Sequence, residues 1–436
     1  MMRHRSLALL AALCVAHMAL VTTWAQVPPQ ASLDHFGGIN PIARALNLDA
    51  VRAMLDAGAD PNIRDHISGA TLLHYAVLYK KTDVVLLLLD HKADVNARID
   101  KRGLEKGVTP LHYAVLQDDL PLTKLLISRG ADQHATYRSG RTALHIATSG
   151  GMTDIARFLL QDGADANVRD TTGLSPLDEA AWRGFPDVAA LLLKSGARIN
   201  DVQVRSGATP LNEAAVKGQS AVVELLLAQK ADATIGDKAG FSPIENAIRF
   251  HHTETARIIL QHIQAGLPNN ALSKLLGEAV LKGHEDMVEM LLSNGVDVNA
   301  YLPSGSTALD LAALKGQDAI VKLLLAKGAD VNSRNKFGTM PLYDAALSGH
   351  LTSVALLLAQ GAEINAQETQ SGTTALYAAA SFGHEDVAAL LLEKGADPNI
   401  CSKEGVSPLH VALENGNVGI ANRIRQHGGQ DLGKRI

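Results

Sequence analysis

One short phrase returns along this chain at a near-constant interval, and that period limits the fold more tightly than any other feature. It reads Thr71-Leu72-Leu73-His74, Thr109-Pro110-Leu111-His112, Thr142-Ala143-Leu144-His145, Ser175-Pro176-Leu177-Asp178 and Thr209-Pro210-Leu211-Asn212. It continues as Ser242-Pro243-Ile244-Glu245, Thr307-Ala308-Leu309-Asp310, Met340-Pro341-Leu342-Tyr343, Thr374-Ala375-Leu376-Tyr377 and Ser407-Pro408-Leu409-His410. Outside two irregular places, successive copies start 33 or 34 residues apart. A second phrase, Gly-Ala-Asp-X-Asn, runs in step with it at Gly58 to Asn62, Gly163 to Asn167, Gly328 to Asn332 and Gly395 to Asn399, with variants at Gly196, Gly295 and Gly361. Such self-similarity points to stacked supersecondary units. It accounts for a length of 436 residues, too long for one ordinary compact core.

The local chemistry of the phrase describes a helix start. Thr or Ser is a good N-cap, because its hydroxyl accepts from free first-turn amides. Pro suits the next position, where no helical hydrogen bond is lost. The fourth residue then lies at N3, where His, Asp, Asn or Glu can reach back toward the cap. Ala pairs such as Ala180-Ala181 allow close packing, Gly184, Gly218, Gly316 and Gly383 turn the chain, and a second helix carries Val321 to Leu325 and its counterparts. Gly at the head of the second phrase ends that helix in a left-handed conformation. Aromatic residues make up only 4% against 47% hydrophobic, a composition suited to thin helical layers.

Both phrases and their period resemble the ankyrin repeat, over nearly all of the chain beyond its first residues. The resemblance implies an all-α ankyrin-repeat solenoid of about twelve helix-turn-helix units, each followed by a hairpin finger loop. The expected divisions are 37–66 as an N-terminal capping repeat, 67–104 with a finger insertion, then 105–137, 138–170, 171–204, 205–237, 238–269, 270–302, 303–335, 336–369, 370–402, and 403–436 as a C-terminal capping repeat. Repeat 270–302 lacks the Thr-Pro start and is expected to be a degenerate unit and a weak point. The insertion falls around Arg98 to Lys106, where extra loop length costs little. Lys92 and Lys230 replace the helix-ending Gly and are expected to take positive φ. Asn417, Asn422, Arg423 and Arg425 give the last helix the polar face of a terminal cap.

The N-terminus reads as an export signal, residues 1–25, followed by a segment 26–36. Arg3 and Arg5 precede an apolar run from Leu7 to Val21, and Thr23-Trp24-Ala25 offers small residues before Gln26. The run is shorter than a bilayer-spanning helix needs. The expected location is therefore periplasmic or secreted, with no stable membrane insertion after cleavage; the competing reading is anchorage by an uncleaved segment. Cleavage would remove Cys14 and leave Cys401 alone, excluding an internal disulfide. It would also take the net charge from −5 to −7 by loss of Arg3 and Arg5. No basic field attracts nucleic acid. The absence of any Asn-X-Ser/Thr acceptor favours a bacterial envelope.

No residue set carries visible catalysis, so the chain is expected to be no enzyme and to bind no cofactor and no metal. His74, His112, His145 and His410 stand where Asp178, Asn212, Glu245 and Asp310 stand in sister repeats, an interchange that means capping. His284, His350 and His384 follow the turn Gly and support the inter-helix turn, with the pair His251-His252 at the corresponding turn. No phosphate-binding Gly loop, zinc motif or nucleophile elbow occurs. Cys401 has no base beside it in sequence.

In ankyrin arrays, ligands contact the exposed face of the first helices and the finger tips. The resemblance carries this onto Tyr75, Tyr79, Tyr113, Trp182, Arg183, Arg249, Phe250 and Phe382 as candidate partner-binding residues, with Arg138, Arg141, Arg205, Lys238, Phe241, Lys336 and Phe337 on the fingers. Aromatics and Arg are the residue types of interface hot spots, although some could bridge repeats instead. Trp182, Arg183, Arg249 and Phe250 are expected to face one surface. The pairs Glu179/Arg183, Glu213/Lys217 and Glu278/Lys282 are expected to be i, i+4 supports of a solvated helix. The leading expectation is a monomeric scaffold for a protein partner. The alternatives are an exported effector acting on a host protein and, less favoured, an enzyme with a groove active site.

Overall fold

A computed structural model describes residues 46–65, 68–100, 106–137, 140–263 and 269–433. The expected signal segment with Cys14, segment 26–36, the first part of the N-terminal cap, residues 101–105 of the finger insertion and Arg138 lie outside the described residues. Within them are 23 α-helices and no strand beyond two isolated bridges, Arg64 with Thr71 and Tyr137 with Arg141, which close finger hairpins. The chain is an all-α array of antiparallel helix pairs.

Contacts divide it into two compact units, Met1–Ala214 with Ala221–Gly240, and Ala215–Ser220 with Phe241–Ile436. In the first, the inner helices Leu72–Leu78, Pro110–Leu116, Ala143–Gly150 and Pro176–Arg183 pack in series, as do the outer helices Leu120–Ser128, Thr153–Gln161 and Pro186–Lys194. In the second, the inner helices are Pro243–Arg249, Asn269–Lys282, Ala308–Leu314, Pro341–Leu347, Ala375–Phe382 and Pro408–Glu414. The core of each unit is a ladder of equivalent aliphatic residues. Leu73, Leu111, Leu144 and Leu177 are buried in one, and Leu309, Leu342, Leu376 and Leu409 in the other. No single pair of helices this short could bury these faces alone, so each repeat draws its stability from its neighbours. Truncating one such Leu to Ala would cost about 2–5 kcal/mol.

A second ladder joins the finger bases. Asn62 Oδ1 accepts from the amide of Asp94 at 2.7 Å, Asn96 Oδ1 from Asp132 at 2.7 Å, and Asn299 Oδ1 from Asp330 at 2.8 Å. The same Asn96 Nδ2 donates to Gly130 O at 2.9 Å. The Asn of the second phrase therefore satisfies both a donor and an acceptor of the following repeat.

Lys92 and Lys230 take φ of 65° and 66°, as their register requires. Lys80, Asp118 and His251 also have positive φ; they stand at turn positions where sister repeats have Gly. The unit lacking the start phrase is an ordered helix pair, and its first helix, Asn269–Lys282, is 14 residues long where other inner helices have 7 or 8. The last helix, Val418–Gln426, buries Ile420, Ala421 and Ile424 and exposes Asn422, Arg423 and Arg425.

Candidate binding surface

The N3 residues cap, and they also reach the loop that leads to the next inner helix. His74 Nδ1 accepts from the Thr71 amide at 3.1 Å, and its Nε2–H donates to Val108 O at 3.2 Å. His112 accepts from Thr109 and donates to Ala135 O at 3.1 Å; His145 accepts from Thr142 and donates to Leu174 O at 3.2 Å. Asn212 donates from Nδ2 to Ile235 O at 2.8 Å. Burial holds His74 and His112 down to about 4, despite bonds to backbone carbonyls that work the other way. These rings are neutral near pH 7, with both nitrogens engaged.

His410 departs from the expectation. Ser407 Oγ accepts from the His410 amide, but the imidazole turns away and its Nδ1 meets Asp431 Oδ1 at 2.7 Å. The Ser407 amide instead donates to Leu432 O at 2.8 Å. Asp431 lies in the loop that closes the same repeat, where the Gln430 amide donates to Asn399 Oδ1 at 2.9 Å as the Asp132 amide does to Asn96.

The turn histidines bond backward. Nε2–H of His252 donates to Val216 O at 3.1 Å, of His350 to Leu314 O at 3.1 Å and of His384 to Leu347 O at 3.0 Å. His284 uses Nδ1, donating to Ile248 O at 3.1 Å, and Asn417 does the same work toward Ala380 O at 2.9 Å. His251 stacks on His284 with centroids 3.9 Å apart, and its Nε2 lies 2.6 Å from Asp286 Oδ1. Among the described residues no group of three or more His, Cys, Asp or Glu is placed to hold a metal, and no helix is long and apolar enough to cross a membrane.

Two of the candidate partner-binding residues are not on the surface. Tyr75 and Tyr113 are only 8% and 5% exposed. Tyr75 donates from its hydroxyl to Asp65 Oδ2 at 2.6 Å, in the finger that leads into its helix, and Tyr113 stands edge-on to His74 at 6.0 Å. The physical reason is position: N4 of the inner helix faces the finger base, where Glu213 likewise meets Gln203 at 2.6 Å. Tyr79, Trp182 and Arg183 are half-buried, and Arg183 Nε reaches Glu179 at 3.4 Å. Glu179 is itself buried beside Arg141 of the preceding repeat. Arg249 lies over the Phe241 ring at 3.7 Å and pairs with Glu278 at 3.7 Å; Glu278 thus bridges repeats. Trp182 and Arg183 belong to the first compact unit, Arg249 and Phe250 to the second.

Phe250 and Phe382 are open, at 53% and 63% exposure. In the second unit they flank Leu281, Leu314 and Leu347, each at or next to the C-terminal end of successive inner helices. Leu281 and Leu314 are exposed and Leu347 half-exposed, and exposed Lys282 and Lys315 follow the first two directly. Reading aromatic residues alone missed these leucines. The available signal was the repeat register, which puts all five within one position of each other.

The family model described as ankyrin repeats in three copies matches residues 42–137, 111–203, 276–368 and 342–435, and the single ankyrin-repeat model matches 206–238. No curated protein matches the chain. Repeats of this kind generally serve as protein–protein interaction scaffolds.

Proposed function

Because the chain belongs to the ankyrin-repeat family, we propose that it is a non-enzymatic scaffold that binds a protein through the ends of its inner helices and the adjoining fingers. The observation that carries this reading is the row Phe250, Leu281, Leu314 and Phe382, large apolar side chains left exposed at one register of successive repeats. Isolated exposed apolar residues are ordinary; a repeated row marks an interaction surface. Phe337 and Tyr301 are likewise exposed, on the fingers. The polar residues that could suggest chemistry are committed elsewhere: the N3 and turn histidines hold helix starts and inter-helix turns.

The export reading is part of the proposal. Arg3, Arg5, the Leu7 to Val21 run and Thr23-Trp24-Ala25 support a cleaved signal and a periplasmic or secreted protein. Mass spectrometry of the exported chain should give a start near Gln26; an intact N-terminus in the membrane fraction refutes it. Photo-crosslinking from position 314 or 382 in the native compartment should capture a protein partner, while the outer-helix position 257 should not. Capture from 257 alone would place the binding surface on the other side of the array.

A further inference from the structure

The N3 position poses one electrostatic problem and the chain answers it in four ways. The side chain must accept from the N-cap amide and also meet an acceptor in the loop that leads to the next inner helix. His74, His112 and His145 accept with Nδ1 and donate with Nε2–H. Asn212 donates with Nδ2. Glu245 accepts twice from Ser242 with Oε2, both at 2.7 Å, and its Oε1 takes the ammonium of Lys274 from the next inner helix. Burial pushes Glu245 upward, but Lys274 and the Ser242 donors outweigh it and hold the acid below its usual range.

Asp178 and Asp310 have none of these partners. Oδ2 of Asp178 accepts from the amide and the hydroxyl of Ser175, both at 2.9 Å; Oδ2 of Asp310 accepts from the amide and hydroxyl of Thr307 at 2.8 and 2.9 Å. Each residue is 1% exposed. In both, Oδ1 is buried without a hydrogen-bond partner, whereas His and Asn at the same register position use a second polar atom to donate. We propose that Asp178 and Asp310 are held as neutral acids, with the proton on Oδ1 donated to the loop that leads to the next inner helix, so that their stacking is released as they ionise.

The surroundings favour this. Facing Asp178 are Glu213 from the next inner helix, of like sign, and Arg169 from the preceding finger, which Asp201 already engages at 2.6 Å. Facing Asp310 is Asp344 from the next inner helix, a second buried acid. An ionised carboxylate with one bare buried oxygen would forfeit solvation that nothing replaces, whereas a carboxylic acid there donates. Burial moves Asp178 up to about 7 and Asp310 up to about 6, against the Ser175 and Thr307 donors that act downward. The sign follows from linkage: an acid raised from 3.8 binds its proton in the folded state when the unfolded chain has lost it. Its contribution is full below about pH 4 and declines as pH rises, until it is gone above about 6 for Asp310 and 7 for Asp178.

The test is urea unfolding of the full chain and of Asp310→Asn and Asp178→Asn between pH 4.5 and 8. Asn keeps the donor at every pH, and Asn212 shows that the repeat accepts it. The folded-to-unfolded ratio of each variant relative to wild type should rise on the order of tenfold or more across that range. Glu245→Gln, which loses a charge already neutralised by Lys274, should show no such rise. Carboxyl carbon-13 spectra of the aspartate-labelled wild type should contain three resonances titrating near neutrality, from Asp178, Asp310 and Asp344, of which Asp178→Asn and Asp310→Asn each remove one. A variant-to-wild-type ratio that stays flat with pH, or aspartates all ionised by pH 5, would overturn the proposal.

Discussion

His350 lies across Gly316 of the preceding repeat. Its Nε2–H donates to the carbonyl of Leu314 at 3.1 Å, and its ring occupies the space that a β-carbon on Gly316 would need. His252 over Gly218 and His384 over Gly349 repeat the arrangement. The turn glycine and the histidine that follows the next turn are thus one device that locks adjacent repeats.

Gly316→Ala should therefore be worse than its backbone alone implies. Gly316 and Gly328 both have positive φ, 64° and 88°, but nothing lies within 4 Å of a β-carbon at Gly328. Gly328→Ala should cost about 1–2 kcal/mol, the strain of a left-handed Ala. Gly316→Ala adds overlap with the imidazole, for a total of about 2–4 kcal/mol. Urea unfolding of the two variants side by side measures the gap, and equal losses would show that the ring moves aside freely.

Thr109→Ala should lose about 1 kcal/mol, as other N-cap deletions do. His112→Asn should lose less, because Asn212 already makes the corresponding bond to Ile235 O. His112→Ala removes both the cap acceptor and the donor to Ala135 O and should cost about 2–3 kcal/mol. Thermal melts of the three variants rank them.

The buried histidines also set an acid limit. His74 and His112 fall from 6.5 to about 4 on folding, chiefly through burial. The unfolded chain then binds more protons than the folded one between those values, so stability rises with pH in that window. Their contribution is full above about pH 6.5 and is lost as pH falls toward 4, up to roughly 3 kcal/mol for each ring. In His112→Asn one share of that dependence disappears, which unfolding midpoints from pH 4 to 7 would reveal. The effect has the opposite sign to that of Asp310, so only variant-minus-wild-type differences separate the two.

Phe382→Ala and Phe250→Ala should weaken binding to a captured partner by about 1–2 kcal/mol. Both rings are mostly exposed, so stability should change by less than about 0.5 kcal/mol. Each variant needs a binding titration and a melt. A lowered melting point with unchanged affinity would make these rings stacking elements.

The repeat was legible along the chain. N-caps, helix-ending glycines and the interchange of His, Asp, Asn and Glu at N3 are local signals tied to one register, so Lys92 at positive φ and His74 as a cap were both legible before any coordinates. Exposure was not. Tyr75 and Phe250 are aromatics in and at the end of inner helices, yet one bonds Asp65 in the preceding finger and the other faces outward. That difference depends on where the finger folds back and what the neighbouring repeat covers. The same holds for His410, whose turn toward Asp431 depends on how the closing loop of its repeat folds back, and for Asp178 and Asp310, whose buried bare oxygens arise only on stacking. Period and propensity act along the chain; solvent access and the pairing of buried polar atoms are decided between repeats, and only the tertiary structure brings those atoms together.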